Sequence, residues 1–186
     1  MKNFFAFSIL AFAVFASMLT AHAQTRRDYL TDAEVELVRD AQMIDLRTAV
    51  FARAIDRRFL VLNNQSEPTD KKSKKDAGNW GALPTGTRAE LLLDIEGILQ
   101  AAIENIDEVA TRDSKSELFP KAVKILTDGA NRFLPELKSQ LKKSTDEREK
   151  GAILGAIDSC NQIIEASAKL PKETAPQEKK AKVKSK

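Results

Sequence analysis

The chain has 186 residues, 30 basic against 27 acidic side chains, one cysteine and one histidine. That length suits one domain with a proper core, and the near-balance of charge argues against a dedicated nucleic-acid binder. A single cysteine rules out an internal disulfide, so stability must come from packing.

The first element is "MKNFFAFSILAFAVFASMLTAHAQ". Lys2 precedes an apolar run from Phe4 to Leu19, followed by small residues at Ala21 and Ala23. This is the layout of a secretory signal peptide over residues 1–23. The run is short for a membrane span, which needs about 20 residues. Cleavage before Gln24 is expected, giving an exported protein of the periplasm or extracellular space with no membrane span in its mature form. His22 would leave with the peptide.

A helical domain is expected over residues 24–170. Thr31 and Glu34 form a capping-box pattern, the signature of a helix start. Leu37, Ala41, Ile44, Thr48, Phe51, Ile55, Phe59 and Leu62 then recur at spacings of three and four, which places them on one face. One continuous helix from Thr31 to Leu62 would approach 50 Å. Within it, Arg53, Arg57 and Arg58 stand among large apolar residues. Guanidinium forks suit carboxylates and other anions, so the three are candidate binding residues. The preferred reading is plainer: Arg58 pairs with a carboxylate on a neighbouring helix, while Arg53 and Arg57 lie in water.

Residues 63–86 carry two prolines, three glycines and no periodicity, and read as a linker or long loop. "KKSKK" at Lys71–Lys75 offers positive charge without interleaved aromatics, so no stacking platform for bases is indicated. Trp80, the only tryptophan, is expected to pin this loop onto the helices; the alternative is an exposed anchor for a partner.

The second helix follows Thr87 and Glu90, with Leu91, Ile95, Ile98, Leu99, Ala102, Ile106 and Val109 on its face. Asp94 and Glu96 lie beside these core positions, and Glu104, Asp107 and Glu108 follow. Paired carboxylates can exchange protons or bind a hard cation. Their spacing is also that of any solvated helix face, which is the reading preferred here. The third helix is expected from Ser114 and Glu117, with Phe119, Ala122, Val123, Leu126, Ala130, Phe133, Leu137 and Leu141 inward. Gly129 and Pro135 weaken it, yet the apolar phase runs through both, so one kinked helix is favoured over two short ones. The fourth is expected from Ser144 and Glu147, with Ile153, Ile157, Cys160, Ile164 and Ala168 inward. Cys160 on that stripe reads as a buried, inert thiol.

Residues 171–186 hold six lysines and two glutamates and few apolar side chains, and are expected to form a disordered basic tail. Such a tail is drawn weakly to anionic envelope surfaces, an attraction that salt screens.

The fold expected is all-α: an antiparallel four-helix bundle with a long loop between its first and second helices. Short connections after the second and third helices predict antiparallel neighbours. The same stripes would serve an open helical array or a swapped dimer, so a homo-oligomer stays open. Without histidine the mature chain lacks the usual base for a serine or cysteine nucleophile, Glu-x-x-His di-iron pairs, haem ligands and Cys/His zinc sites. No catalytic, metal or cofactor residues are assigned. The expected function is non-enzymatic: association with an unidentified protein partner, or a structural module of the envelope. The alternative is a bundle that binds a small ligand or divalent cation through residues such as Asp94 and Glu96.

Overall fold

The computed structural model describes residues 28–67, 80–112 and 116–169. Among these the chain forms five helices and no strand: α1 (Asp32–Asp40), α2 (Ile44–Leu62), α3 (Arg88–Arg112), α4 (Leu118–Lys143) and α5 (Glu147–Ala168). The described part of the chain is therefore all-helical. The signal-peptide and basic-tail segments lie outside the described residues.

The single long helix expected over Thr31–Leu62 is two helices. The capping box at its start is present, with Glu34 and Thr31 exchanging side-chain bonds to each other's amides. Ala41 then leaves helical geometry at φ −74°, ψ 82°, and α2 restarts after Met43. Side chains cover the exposed carbonyls: Gln42 Nε2 donates to the Arg39 carbonyl at 2.8 Å and Arg47 Nε to that of Ala41 at 3.0 Å. No proline or glycine marks the break. Ala41 and Ile44 are buried on either side of it, so the apolar phase survives the turn. The break folds α1 back onto α2 and carries Glu34 into the interior.

Neighbours and directions follow from contacts between helices. α2 packs on α3 and α4, and α5 packs on the same two. Asp45–Lys121, Asp56–Arg132 and Asn63–Gln140 align α2 parallel to α4. Arg88–Glu149 at the two starts makes α3 parallel to α5. Consecutive helices run antiparallel, which the short links before α4 and α5 favour. However, α3 and α4, expected as neighbours, touch only sparsely and face each other across the core. α5 and α2 fill the positions between them.

The core is built from Ile55, Ile95, Ile98, Leu99, Phe133, Leu137 and Ile153, all at 0–1 % exposure. On α5 the inward face is Ile153, Ala156, Cys160 and Ile163, with Ile157 and Ile164 only half-buried. Ile153 and Cys160 point inward as expected, but Ala156 and Ile163 take the inward places expected of Ile157 and Ile164, and Ala168 is exposed. Cys160 is fully buried, and burial pushes its thiol pKa up to about 12, so it stays protonated and unreactive at neutral pH.

α4 runs unbroken through Gly129 and Pro135. Pro135 and Asn131 are both exposed, so the helix carbonyl that loses its amide partner is exposed to water. Gly129 is buried, and a Cβ there would stand 3.1 Å from Cε2 of Phe133, so the glycine makes room for that ring. α5 starts later than expected. Asp146, rather than Ser144, caps it, accepting from the amides of Arg148 and Glu149 at 2.8 and 3.1 Å. A carboxylate at a helix N-terminus also gains from the helix dipole. Ser144 instead donates to Glu149 at 2.6 Å.

A polar network ties four helix ends together. Arg88 reaches Glu149 and the side chain and carbonyl of fully buried Gln140, and Gln140 donates to Asn63 at the end of α2. At the opposite end, Lys121 donates to buried Asp45 at 2.5 Å and holds its carboxyl below the usual value of 3.8. A lowered folded pKa contributes stability above the unfolded value that is lost as pH falls through the folded one. Acid melts should therefore show a slope below about pH 4 that Lys121→Met flattens. An unchanged slope would mean that the pair contributes nothing.

Candidate functional site

Five of the six candidate binding residues, Arg53, Arg57, Arg58, Trp80 and Asp94, gather around the second half of α2. Arg57 and Arg58 are consecutive, so the helix aims them about 100° apart. Arg57 points at the loop around Trp80, and Arg58 at α3 and the segment before α1. Both are 1 % exposed, so Arg57 does not lie in water as the sequence suggested.

Glu34, at 0 % exposure, bridges them: its Oε1 accepts from Arg57 Nη1 at 2.9 Å and Arg58 Nη1 at 2.6 Å. Its Oε2 accepts from the Thr31 amide at 3.0 Å, so the cap and the buried ion pairs share one carboxylate. Arg57 spends all five donors. Besides Glu34 it bonds Glu67 at 2.8 Å and the carbonyls of Trp80, Gly81 and Ala82 at 3.0, 3.0 and 2.6 Å. Three successive carbonyls reach one guanidinium because Gly81 takes φ +62°, where a side chain would be strained. Trp80 is buried with its ring centroid 4.7 Å from Arg53 Cζ and 5.4 Å from Arg57 Cζ, so cation–π attraction adds to the hold on the loop. Arg53 is half-buried over that ring rather than in water.

Arg58 also bonds the carbonyls of Ala54 and Tyr29, at 3.0 and 2.7 Å. Its Nε has no hydrogen-bond partner, and the nearest carboxylate oxygen, Asp94 Oδ2, stands 3.7 Å away. Asp94 is 4 % exposed and so is not part of a solvated face.

Glu96 lies elsewhere. Two residues along a helix rotate by about 200°, so it faces away from Asp94. It lies against α5, where a Cβ on Gly155 would overlap its carboxylate, and burial raises its pKa. Asp94 and Glu96 therefore form neither an acid–base pair nor a joint cation site. Glu104 accepts from Gln100 and Glu108 pairs with Arg112, while Asp107 lines a separate cleft. Among the described residues no three acidic, cysteine or histidine side chains are grouped to hold a metal ion. Ala21, Ala23 and Gln24 of the expected cleavage site, and Lys71–Lys75, lie outside the described residues.

Glu34 and Glu67 were not among the candidates. Glu34 carried a capping signal that explained it fully, and nothing local marked either as an arginine partner. Chemically the cluster is a clamp. Two guanidiniums are held by carboxylates and carbonyls, and they fasten α1 and the loop to α2.

Two clefts flank this scaffold. An apolar one of about 130 Å³ lies between the ends of α3 and α5 and the start of α4, lined by Ile103, Ile106, Phe119, Val123 and Ile163. A polar one of about 480 Å³ lies beside Arg58, near the starts of α1 and α3. Among the described residues no helix is long and apolar enough to cross a membrane. The chain matches no protein-family profile, no curated protein and no solved structure.

Proposed function

We propose that the protein is an exported, non-enzymatic helical module of the periplasm or extracellular space, built as a closed four-helix bundle with α1 as an added strap. It works by holding an amphipathic helical segment of a partner protein at the envelope, with the basic tail adding weak attraction to anionic surfaces. The apolar cleft between α3, α4 and α5 is the observation that supports this reading. Its volume matches about one aromatic or branched side chain, the size of an anchor residue. Asp107 lines it, and Glu104 and Glu165 stand exposed within a turn of its lining residues, while Glu108 is paired with Arg112. The lysines nearby on α4, Lys121 and Lys124, are paired with Asp45 and Asp128. The charge left over is negative, so the segment it suits has one apolar face and basic flanks.

The test is site-specific photo-crosslinking in native cells. A photoreactive residue at Gln162, exposed on the cleft, should give one discrete adduct, and the same probe at Lys138, remote on α4, should not. Val123→Asp should abolish the adduct while leaving the far-UV melting curve close to that of the parent. Equal labelling from both positions, or an adduct indifferent to Val123→Asp, would sink the reading.

A further inference from the structure

The apolar cleft lies where α5 ends. Its α5 wall is Gln162, Ile163 and Ala166, in the last two turns of a helix that stops at Ala168. The described chain closes one residue later, at Lys169, about 5 Å along the helix axis from Ala166. Residues 170–186, outside the described part, therefore continue from a point beside the cleft.

The cleft makes two demands on an occupant. Its volume, about 130 Å³, takes one branched or aromatic side chain. Its rim keeps Asp107, Glu104 and Glu165 against Lys169, because Lys121, Lys124 and Arg112 are paired with Asp45, Asp128 and Glu108. An apolar anchor with basic flanks meets both demands. Residues 179–186 of this chain read "KKAKVKSK": five lysines and no acid around one branched apolar side chain, Val183. The other large apolar side chain after Lys169 is Leu170, which is followed by Lys172 and Glu173, whose charges cancel. Val183 is 14 residues beyond Lys169. An extended chain of that length spans about 45 Å, several times the distance back to the cleft. A tethered segment also needs little intrinsic affinity. A short tether sets an effective concentration on the order of millimolar, so a contact with a dissociation constant of about 1 mM is made about half the time.

We propose that residues 179–186 fold back and seat Val183 in this cleft when no partner is bound, so that the protein occludes its own docking site. The occlusion rests on the reading of the cleft as that docking site. A partner segment displaces the tail, and the freed lysines become available to anionic surfaces. The coupling is reciprocal: an anionic surface that draws the tail away raises the affinity for the partner by the same factor.

Photo-crosslinking in the purified full chain, with no partner present, tests this. The probe at Gln162 should give an adduct at the mass of one chain, and digestion should place it on the peptide that holds Val183. The probe at Lys138 should give no such adduct. Val183→Asp, which alters no described residue, should remove the adduct, whereas Leu170→Asp should leave it. In native cells Val183→Asp should instead raise the yield of the partner adduct about twofold, the factor expected when the tail holds the cleft about half the time. Absence of a tail adduct in the purified chain would overturn the proposal. So would an adduct at twice the chain mass, one that maps elsewhere in the sequence, one that survives Val183→Asp, or a partner adduct indifferent to that substitution. The two readings fail separately. A partner adduct in cells without a tail adduct in the purified chain removes the occlusion and keeps the docking site. A tail adduct without any partner adduct removes the partner and keeps the intramolecular contact.

Discussion

Glu34→Ala is expected to destabilise the protein by about 3–5 kcal/mol, because it leaves two buried guanidiniums facing each other without their shared carboxylate. For a domain of this size that lowers the melting temperature by about 10 °C. The loss is local as well as global. Arg57 holds the Trp80 carbonyl and stacks on its ring, so disordering Arg57 should expose the sole tryptophan and shift its emission to the red. Glu36→Ala, two residues along, is the control. Glu36 pairs with Arg39 at the surface at 2.6 Å, with both side chains more than half exposed. Such pairs contribute about 0–1 kcal/mol. Similar melting points for the two variants would show that the buried cluster does not hold α1 and the loop.

The size of that effect should not be read as the net worth of the ion pairs. Burying charged groups has its own desolvation cost, and an apolar replacement of the whole cluster is often neutral. What the cluster adds is specificity of position. Arg57 can satisfy its five donors only when α1, Glu67 and the Trp80–Ala82 turn sit where they do.

Phe133→Ala should be the most damaging apolar substitution, at about 3–5 kcal/mol. Phe133 is 1 % exposed, packs against Phe59 at 5.9 Å between ring centroids, and occupies the space left by Gly129. Removing the ring leaves a cavity between α2 and α4 that Gly129, lacking a side chain, cannot help fill. Chemical denaturation would show the loss as a lowered midpoint with little change in slope. Leu154→Ala, at a side chain 50 % exposed, should change stability by less than about 0.5 kcal/mol. A Phe133 variant as mild as the Leu154 one would mean that α2 and α4 close over the gap.

The helices and most of their buried faces were legible because helix periodicity and capping are local. Phe51, Ile55, Phe59, Ile95, Ile98, Leu99, Leu126, Phe133 and Leu137 could be placed inward from spacing alone. The separation of Asp94 from Glu96 was also available, since residues two apart on a helix do not share a face. Other features left no local trace. The break at Ala41–Met43 keeps the apolar phase, so nothing in the run of residues marks it. The burial of Arg57 depends on Glu34, 23 residues before it, and on carbonyls 23 to 25 residues after it.

By itself, then, the sequence determined which segments are helical and which side of most of them is apolar, since hydrophobic spacing and caps act within a few residues. Only the tertiary structure decided that α1 folds back, that α3 and α4 lie across the core from each other, and that charged side chains fill an interior site. Those outcomes turn on whether distant groups can satisfy a buried arginine's donors, a matter of three-dimensional geometry that no spacing along the chain encodes.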